Sequence, residues 1–367
     1  MKDENAQQLL AKVMEWEETE IVKEHLPKLQ RLASYKYDGY QQFLPGKKFI
    51  ESLALWLRQF KISDRADALR LVEEKIIFIS EYEMSHLVET AYPDYIVQER
   101  IRLVSEESGI PSYRIRRIIN SERFKSLSLK TLYLGLSDGS RTSELRRASR
   151  GEINNEQIWQ AYELGPEKTA DMTDKLHKSL KTEGFEESKA KFNIVWLLDD
   201  FSGSGNTYVR YKPKEQKYAG KIPKIYEQLN KGDLVDTSHY EVYLLLYVAS
   251  RQAIDHIEYW AERFTSENGY KPLKLKVLHK IEPEHNLLEG RDEDFMRLIA
   301  SDEYYDKEVE DDHTKIGGTD DVKMGFAGCG LPVILSHNTP NNSLYIFWAY
   351  DHLGFKGLFP RVSRHRD

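Results

Sequence analysis

Apolar positions in the first third of the chain recur at helical spacing. Leu9, Leu10, Val13, Met14 and Trp16 form one stripe, and Phe49, Ile50, Leu53, Leu55 and Trp56 form another after the break at Pro45-Gly46. A short apolar run, KIIFIS at 75–80, interrupts helical spacing that then continues to Ser108-Gly109. A further helix is expected from Pro111, because proline suits a first turn. The pattern predicts a helical N-terminal region over residues 1–125. Beyond it the rhythm changes to short apolar runs, LYLGL (132–136), FNIVWLL (192–198), VYLLLYVA (242–249), LKLKVLH (273–279) and PVILS (332–336), separated by helix-length segments. Five such runs predict an α/β domain over 126–367, a parallel sheet of about five strands flanked by helices, with inserted loops near 151–190 and 302–321.

Composition narrows the class. With 40% apolar residues among 367, the chain can bury the core of one large or two ordinary domains. A net charge of −7 argues against general coating of nucleic acid, so charge has to be read locally. Ten cations lie between Arg114 and Arg150 against Glu122, Asp138 and Glu144, which reads either as a solvated helix face or as a surface for RNA, DNA or a protein partner. Residues 302–321 carry nine acidic residues against two lysines, which reads as a mobile surface loop or as a lid. The single cysteine, Cys329, excludes an internal disulfide and reads as a small packed residue. The histidines form no i, i+4 pair and no Cys/His cluster, which argues against zinc. No apolar run approaches the roughly 18 residues of a membrane span, and no leader pattern opens the chain, so a cytoplasmic protein is expected.

Candidate chemistry concentrates in IVWLLDDFSGSGNT, Ile194–Thr207. Five apolar residues running into two carboxylates and then into small polar residues suggest a buried strand that delivers a site at its carboxyl end. A Walker loop needs Lys after its second glycine, whereas Asn206 follows Gly205 here; a dinucleotide fingerprint fails at Tyr208; a calcium loop lacks its alternating oxygens and terminal glutamate. What remains is a cradle for one phosphate. Ser202, Ser204 and Thr207 offer hydroxyls, Gly203 and Gly205 allow inward N–H groups, Asn206 adds an amide, and a following helix would add its positive end. Asp199 and Asp200 repel phosphate but accept from hydroxyls, and the ligand that satisfies both ends is a sugar phosphate.

These residues resemble the 5-phosphoribosyl-1-pyrophosphate (PRPP) motif of type I phosphoribosyltransferases: apolar strand, Asp199-Asp200, Phe201, then Ser204-Gly205-Asn206-Thr207. Ser204 stands where threonine is usual, and Asn206 where a small residue is commonest. The resemblance implies a parallel sheet of about five strands and an earlier strand ending in a pyrophosphate loop. Ser137-Asp138-Gly139-Ser140-Arg141 fits that place, with Arg141 suited to two phosphate oxygens at once. It also implies a mobile loop between the motifs, within 151–190, whose catalytic residue does not stand out. A late turn, NTPNNS at 338–343, offers Asn338, Thr339, Asn341 and Asn342; it reads as turn chemistry or as a further contributor to the sheet's carboxyl edge. The helical N-terminus with these three motifs is similar to the PRTase-CE type described in bacterial conflict systems, including some retrons, which implies an effector or partner in antiphage immunity.

On that resemblance the expected activity is substitution at the anomeric carbon of PRPP or a related ribosyl phosphate. Asp199 and Asp200 would hold the ribose hydroxyls, residues 202–207 the 5′-phosphate, and Arg141 the leaving pyrophosphate. Mg²⁺ would be held chiefly by ligand oxygens, with few from the protein. Two alternatives stay open: a non-catalytic nucleotide-sensing or assembly subunit, and a nucleotide glycosidic-bond hydrolase.

Overall fold

The computed structural model describes residues 2–16, 19–160, 165–185, 190–232, 234–287 and 292–362. Nine strands occur among them: β1 (Ile77–Ile79), β2 (Thr131–Gly135), β3 (Ile158–Trp159), β4 (Ile194–Ser202), β5 (Arg210–Lys212), β6 (Lys217–Ala219), β7 (Glu241–Ser250), β8 (Leu273–Ile281) and β9 (Val333–Leu335). The chain forms two compact units, Ser85–Ile281 and a second assembled from Met1–Met84 with Glu282–Asp367. The expected division at residue 125 is therefore replaced, because helices such as Val97–Ser108 and Glu122–Leu129 belong with the sheet.

In the Ser85–Ile281 unit five strands form one parallel sheet in the order β3-β2-β4-β7-β8. Parallel strands buried on both faces need no polar alternation, which is why β4 and β7 read as unbroken apolar runs. One face presents Leu132, Leu134, Val195, Leu197, Val242, Leu244 and Leu246 to helices Pro166–Thr182, Lys221–Lys231 and Arg251–Glu267. The pleat turns the alternate residues to the other face, where Tyr133, Trp196 and Tyr243 stand in one row across three strands. Trp196 and Tyr243 stack with centroids 4.3 Å apart. Arg102, from helix Val97–Ser108, donates to the Tyr243 hydroxyl (3.1 Å) and to Glu241 (3.0 Å).

The membership of the sheet differs from the sequence reading in one strand. PVILS does not join it: β9 pairs in parallel with β1, the KIIFIS run, inside the other unit. Its place is taken by β3, only two residues long and half-buried, inside the segment expected as a loop. That segment, 151–190, also holds helix Pro166–Thr182, while 161–164 and 186–189 lie outside the described residues.

The second unit is built on helices Asp3–Val13, Thr19–Tyr35, Phe49–Leu57 and Ile62–Glu74 around an aromatic cluster that includes Tyr37, Tyr40, Phe49, Phe78 and Phe359. The acidic stretch 302–321 is part of this unit rather than a free loop or lid. Tyr304 is buried against Phe60, its hydroxyl donates to Asp64, and Tyr305 packs edge-on against Tyr345.

Candidate functional site

Numbered along the chain, the sheet strands lie in the order second-first-third-fourth-fifth, so the topology reverses between β2 and β4. Connections leaving those two strands diverge to opposite sides, which opens a crevice at their carboxyl ends where ligands of such sheets bind. Both expected ligand loops leave from this point: Ser137–Arg141 follows β2, and Phe201–Thr207 closes and follows β4.

The two aspartates do different jobs. Adjacent residues of a strand face opposite ways, and Asp199 turns inward, 3% exposed. Its Oδ1 accepts from the Ser137 hydroxyl and from the Asp200 N–H (3.2 Å); its Oδ2 accepts from the Tyr208 hydroxyl (2.8 Å) and the Lys221 ammonium (3.2 Å). A carboxylate has about four acceptor sites, and these four bonds fill them. Asp199 is thus an internal anchor, and the expectation that it holds a ribose hydroxyl is corrected. Burial, reinforced by the charge of Asp200, raises its pKa, and Lys221 opposes the rise. Asp200 is half-buried and lies against Gly139, where an added Cβ would sit 2.3 Å from its Oδ2. The lack of a side chain at Gly139 is what lets the first loop approach this carboxylate.

Lys221 joins the two loops. Besides Asp199 it donates to the Leu136 carbonyl at 2.7 Å, so one ammonium ties the end of β2 to the end of β4. Tyr208, fully buried, has its phenol pKa pushed well up by burial and by Asp199, which keeps it a donor.

In the phosphate loop Ser202, Gly203, Ser204 and Gly205 are buried, Asn206 is half-buried and Thr207 is exposed. Gly205 has φ +78°, and a Cβ there would lie 2.9 Å from the His256 ring and 3.0 Å from the Ala253 carbonyl. Only glycine fits both the left-handed backbone and the close seat on helix Arg251–Glu267. Ser250 donates to the Gly203 carbonyl and accepts from Ala253 N–H at 3.0 Å, capping that helix and pinning the loop together. His256 Nε2 lies 2.9 Å from the Val209 carbonyl, and burial lowers its pKa. The expectation of a helix directly after the loop is corrected. A hairpin, β5–β6, intervenes, and the first N–H groups of helix Lys221–Lys231 go to the carbonyls of Thr207 (3.1 Å) and Tyr208 (2.9 Å).

In the first loop Ser137 accepts from Gly139 N–H (3.1 Å), Asp138 is exposed, and Ser140 is buried with its carbonyl taking the Tyr247 hydroxyl (3.2 Å). Arg141 has φ +50°, uncommon for a residue with a side chain, and leads into helix Thr142–Ala148. Its guanidinium is 13% exposed and pairs with Glu144 at 3.0 Å.

The geometry is that of a switch-point crevice with a carboxylate, a small-residue loop and an arginine at its rim, and a family comparison agrees with it. A family model described as PRTase-CE matches residues 53–361. The chain belongs to the PRTase-CE family. No curated protein and no solved structure matches it.

Two expectations do not fall on this PRTase-CE sheet. Asn338 and Asn341 are in the unit that holds β9, where the turn ties the chain together. Thr339 bonds Tyr40 (2.9 Å) and the Phe359 carbonyl (2.8 Å), the Asn341 carbonyl accepts from Phe326 N–H (2.7 Å), and Asn342 donates to Cys329 Sγ (3.4 Å). Burial pushes the Cys329 thiol up to about 12, consistent with a packed residue. The Arg114–Arg150 cations do not form one face either: Arg123 is held by Glu107 (2.6 Å), Lys130 is buried, and Arg141 is held by Glu144. The residues that sequence reasoning passed over are Lys221, Tyr208, His256 and Glu144. Tyr208 follows the motif directly, whereas Lys221 and His256 reach it only through the β5–β6 hairpin and helix packing. Among the described residues no group of three or more His, Cys, Asp or Glu is placed to hold a metal, and no helix is long and apolar enough to cross a membrane.

Proposed function

We propose that this crevice binds PRPP or a related ribosyl phosphate with Mg²⁺ and supports substitution at its anomeric carbon. The observation that carries the reading is the convergence of Asp200, Gly139 and the 202–207 loop at the reversal of the sheet. Asp200 would accept from the ribose hydroxyls. The phosphate loop would take the 5′-phosphate through its backbone and through Asn206 and Thr207, the members that reach solvent. Arg141, released from Glu144, would meet the departing pyrophosphate with two parallel N–H bonds.

A hard carboxylate oxygen at Asp200 suits Mg²⁺ as a single ligand, directly or through water, the remaining oxygens coming from the ligand. Bound there, the ion would supply charge neutralisation for the pyrophosphate. Asp199 and Lys221 act at one remove, by fixing the spacing of the two loops.

Isothermal calorimetry with PRPP and Mg²⁺ tests the reading. Binding to the intact protein with loss of at least about tenfold in Asp200→Asn supports it; no binding, or binding indifferent to that change, overturns it. Product analysis then separates transfer to an acceptor from hydrolysis. We further propose, on family membership alone, a role as an effector in antiphage defence. Plaque counts on cells carrying the native system or its Asp200→Asn form test that role, and equal protection by both forms refutes it.

A further inference from the structure

A groove of about 640 Å³ lies in the Ser85–Ile281 unit, away from the crevice, among helix Val97–Ser108, the short helix Ile115–Ile119 and helix Glu122–Leu129. Val97, Ile101, Ile115, Ile119, Phe124 and Leu129 give it an apolar floor and wall. The apolar surface does not end at the cavity mouth. Tyr113 is 74% exposed, Ile115 48% and Ile119 37%, while Ile118 turns fully inward. Ile115 and Ile119 are four residues apart and so share one outward stripe of their helix. Ile115 and Ile119 both line the groove and keep an exposed face, so a helix laid along them would cover that face together with the groove.

Charge says what kind of helix. Arg114, Arg116, Arg117 and Lys125 are exposed beside the stripe, and none of the three arginines is in an ion pair with a described residue. These four cations outnumber the two exposed carboxylates on the groove: Glu152, which accepts from the Tyr92 hydroxyl at 2.7 Å and lies 3.9 Å from the buried Arg100 guanidinium, and Glu183.

We propose that this groove docks an acidic amphipathic helix of a partner protein, its apolar residues on Ile115, Ile119 and Phe124 and its carboxylates over Arg114, Arg116 and Arg117. The proposal is independent of the ribosyl phosphate reading.

The test selects binders to the intact protein from a displayed library of randomised helical segments about four turns long. Expected winners carry apolar residues at i, i+3 or i+4 and i+7 with an Asp- or Glu-rich flank. Their affinity falls with salt and drops at least about tenfold for Arg116→Glu/Arg117→Glu and for Ile119→Asp. The arginine reversal alters only exposed side chains, so it decides the question even where Ile119→Asp fails to fold. Asp200→Asn leaves this binding unchanged. No enrichment, enrichment of basic segments, indifference to the arginine reversal, or tighter binding of a single-stranded RNA probe that the same reversal abolishes would each overturn the proposal.

Discussion

Replacing Lys221 by Met tests the claim that one ammonium holds the crevice together. The substitution keeps the stem of the side chain and removes its charge. It leaves Asp199, 3% exposed, without its cation and the Leu136 carbonyl without its donor. Breaking a buried ion pair from one side costs about 3–5 kcal/mol. The lower end applies, because the Lys221 side chain is 16% exposed and the Ser137 and Tyr208 bonds survive. About 3 kcal/mol in a unit of this size lowers the melting temperature by roughly 6–12 °C. Thermal and urea unfolding followed by circular dichroism measure it, together with Asp199→Asn and the double variant. The double variant should cost less than the sum of the singles by at least about 1 kcal/mol, because the stranded charge is gone. The sign with pH follows from Asp199, whose folded pKa is already raised and rises further without Lys221. A raised carboxyl loses stability as pH climbs from its unfolded value through its folded one, so the deficit of Lys221→Met is largest at neutral pH and shrinks on acidification. Additive losses within about 0.5 kcal/mol, or a deficit that grows in acid, would refute the reasoning.

Other consequences are open to direct measurement. Gly139→Ala would place a methyl 2.3 Å from Asp200 Oδ2, displacing that carboxylate by about 1 Å; turnover of a ribosyl phosphate should fall about 100-fold while the melting temperature moves far less, and an unchanged rate would place Asp200 outside the site. Glu144→Gln removes the partner of Arg141 and a like charge facing the ligand, so pyrophosphate should bind about fivefold tighter by calorimetry, a gain near 1 kcal/mol. His256 is held neutral with its folded pKa lowered from 6.5, so it takes up its proton less readily than in the unfolded chain; its contribution is present above pH 6.5 and is lost as pH falls below it. His256→Gln should flatten that part of the stability–pH curve, and an unaltered curve would mean that another group sets it.

Ile194–Thr207 was legible because a parallel strand covered on both faces writes its burial directly as an apolar run, and because small residues mark the bend after it. The same rule misled at PVILS: an apolar run records burial but not the sheet that provides it, and β9 buries itself against β1. β3 left no trace, since two half-buried residues carry no periodicity. The pairing of Asp199 with Asp200 looked like two equal ligands, yet the period of two along a strand already requires neighbours to part company. Lys221 was beyond reach, because it enters the crevice only after the β5–β6 hairpin has turned the chain back, and nothing local to residue 221 reports that. The division at 125 failed for a similar reason: helical spacing shows that a segment is a helix, not which core receives it.

The second unit takes its parts from both ends of a chain that is made in one direction. Its helices between Asp3 and Glu74 emerge from the ribosome with their apolar faces ready, but Leu287, Phe295, Ile334, Phe347 and Phe359, which share that core, come only after roughly 200 intervening residues. At typical synthesis rates this is a delay of about 10–40 seconds, during which the sheet unit is itself being made while the earlier helices still await the rest of their core. Biogenesis thus leaves a sticky amino-terminal segment uncovered in every nascent copy, a natural point for chaperone capture and for premature association of chains on the same message.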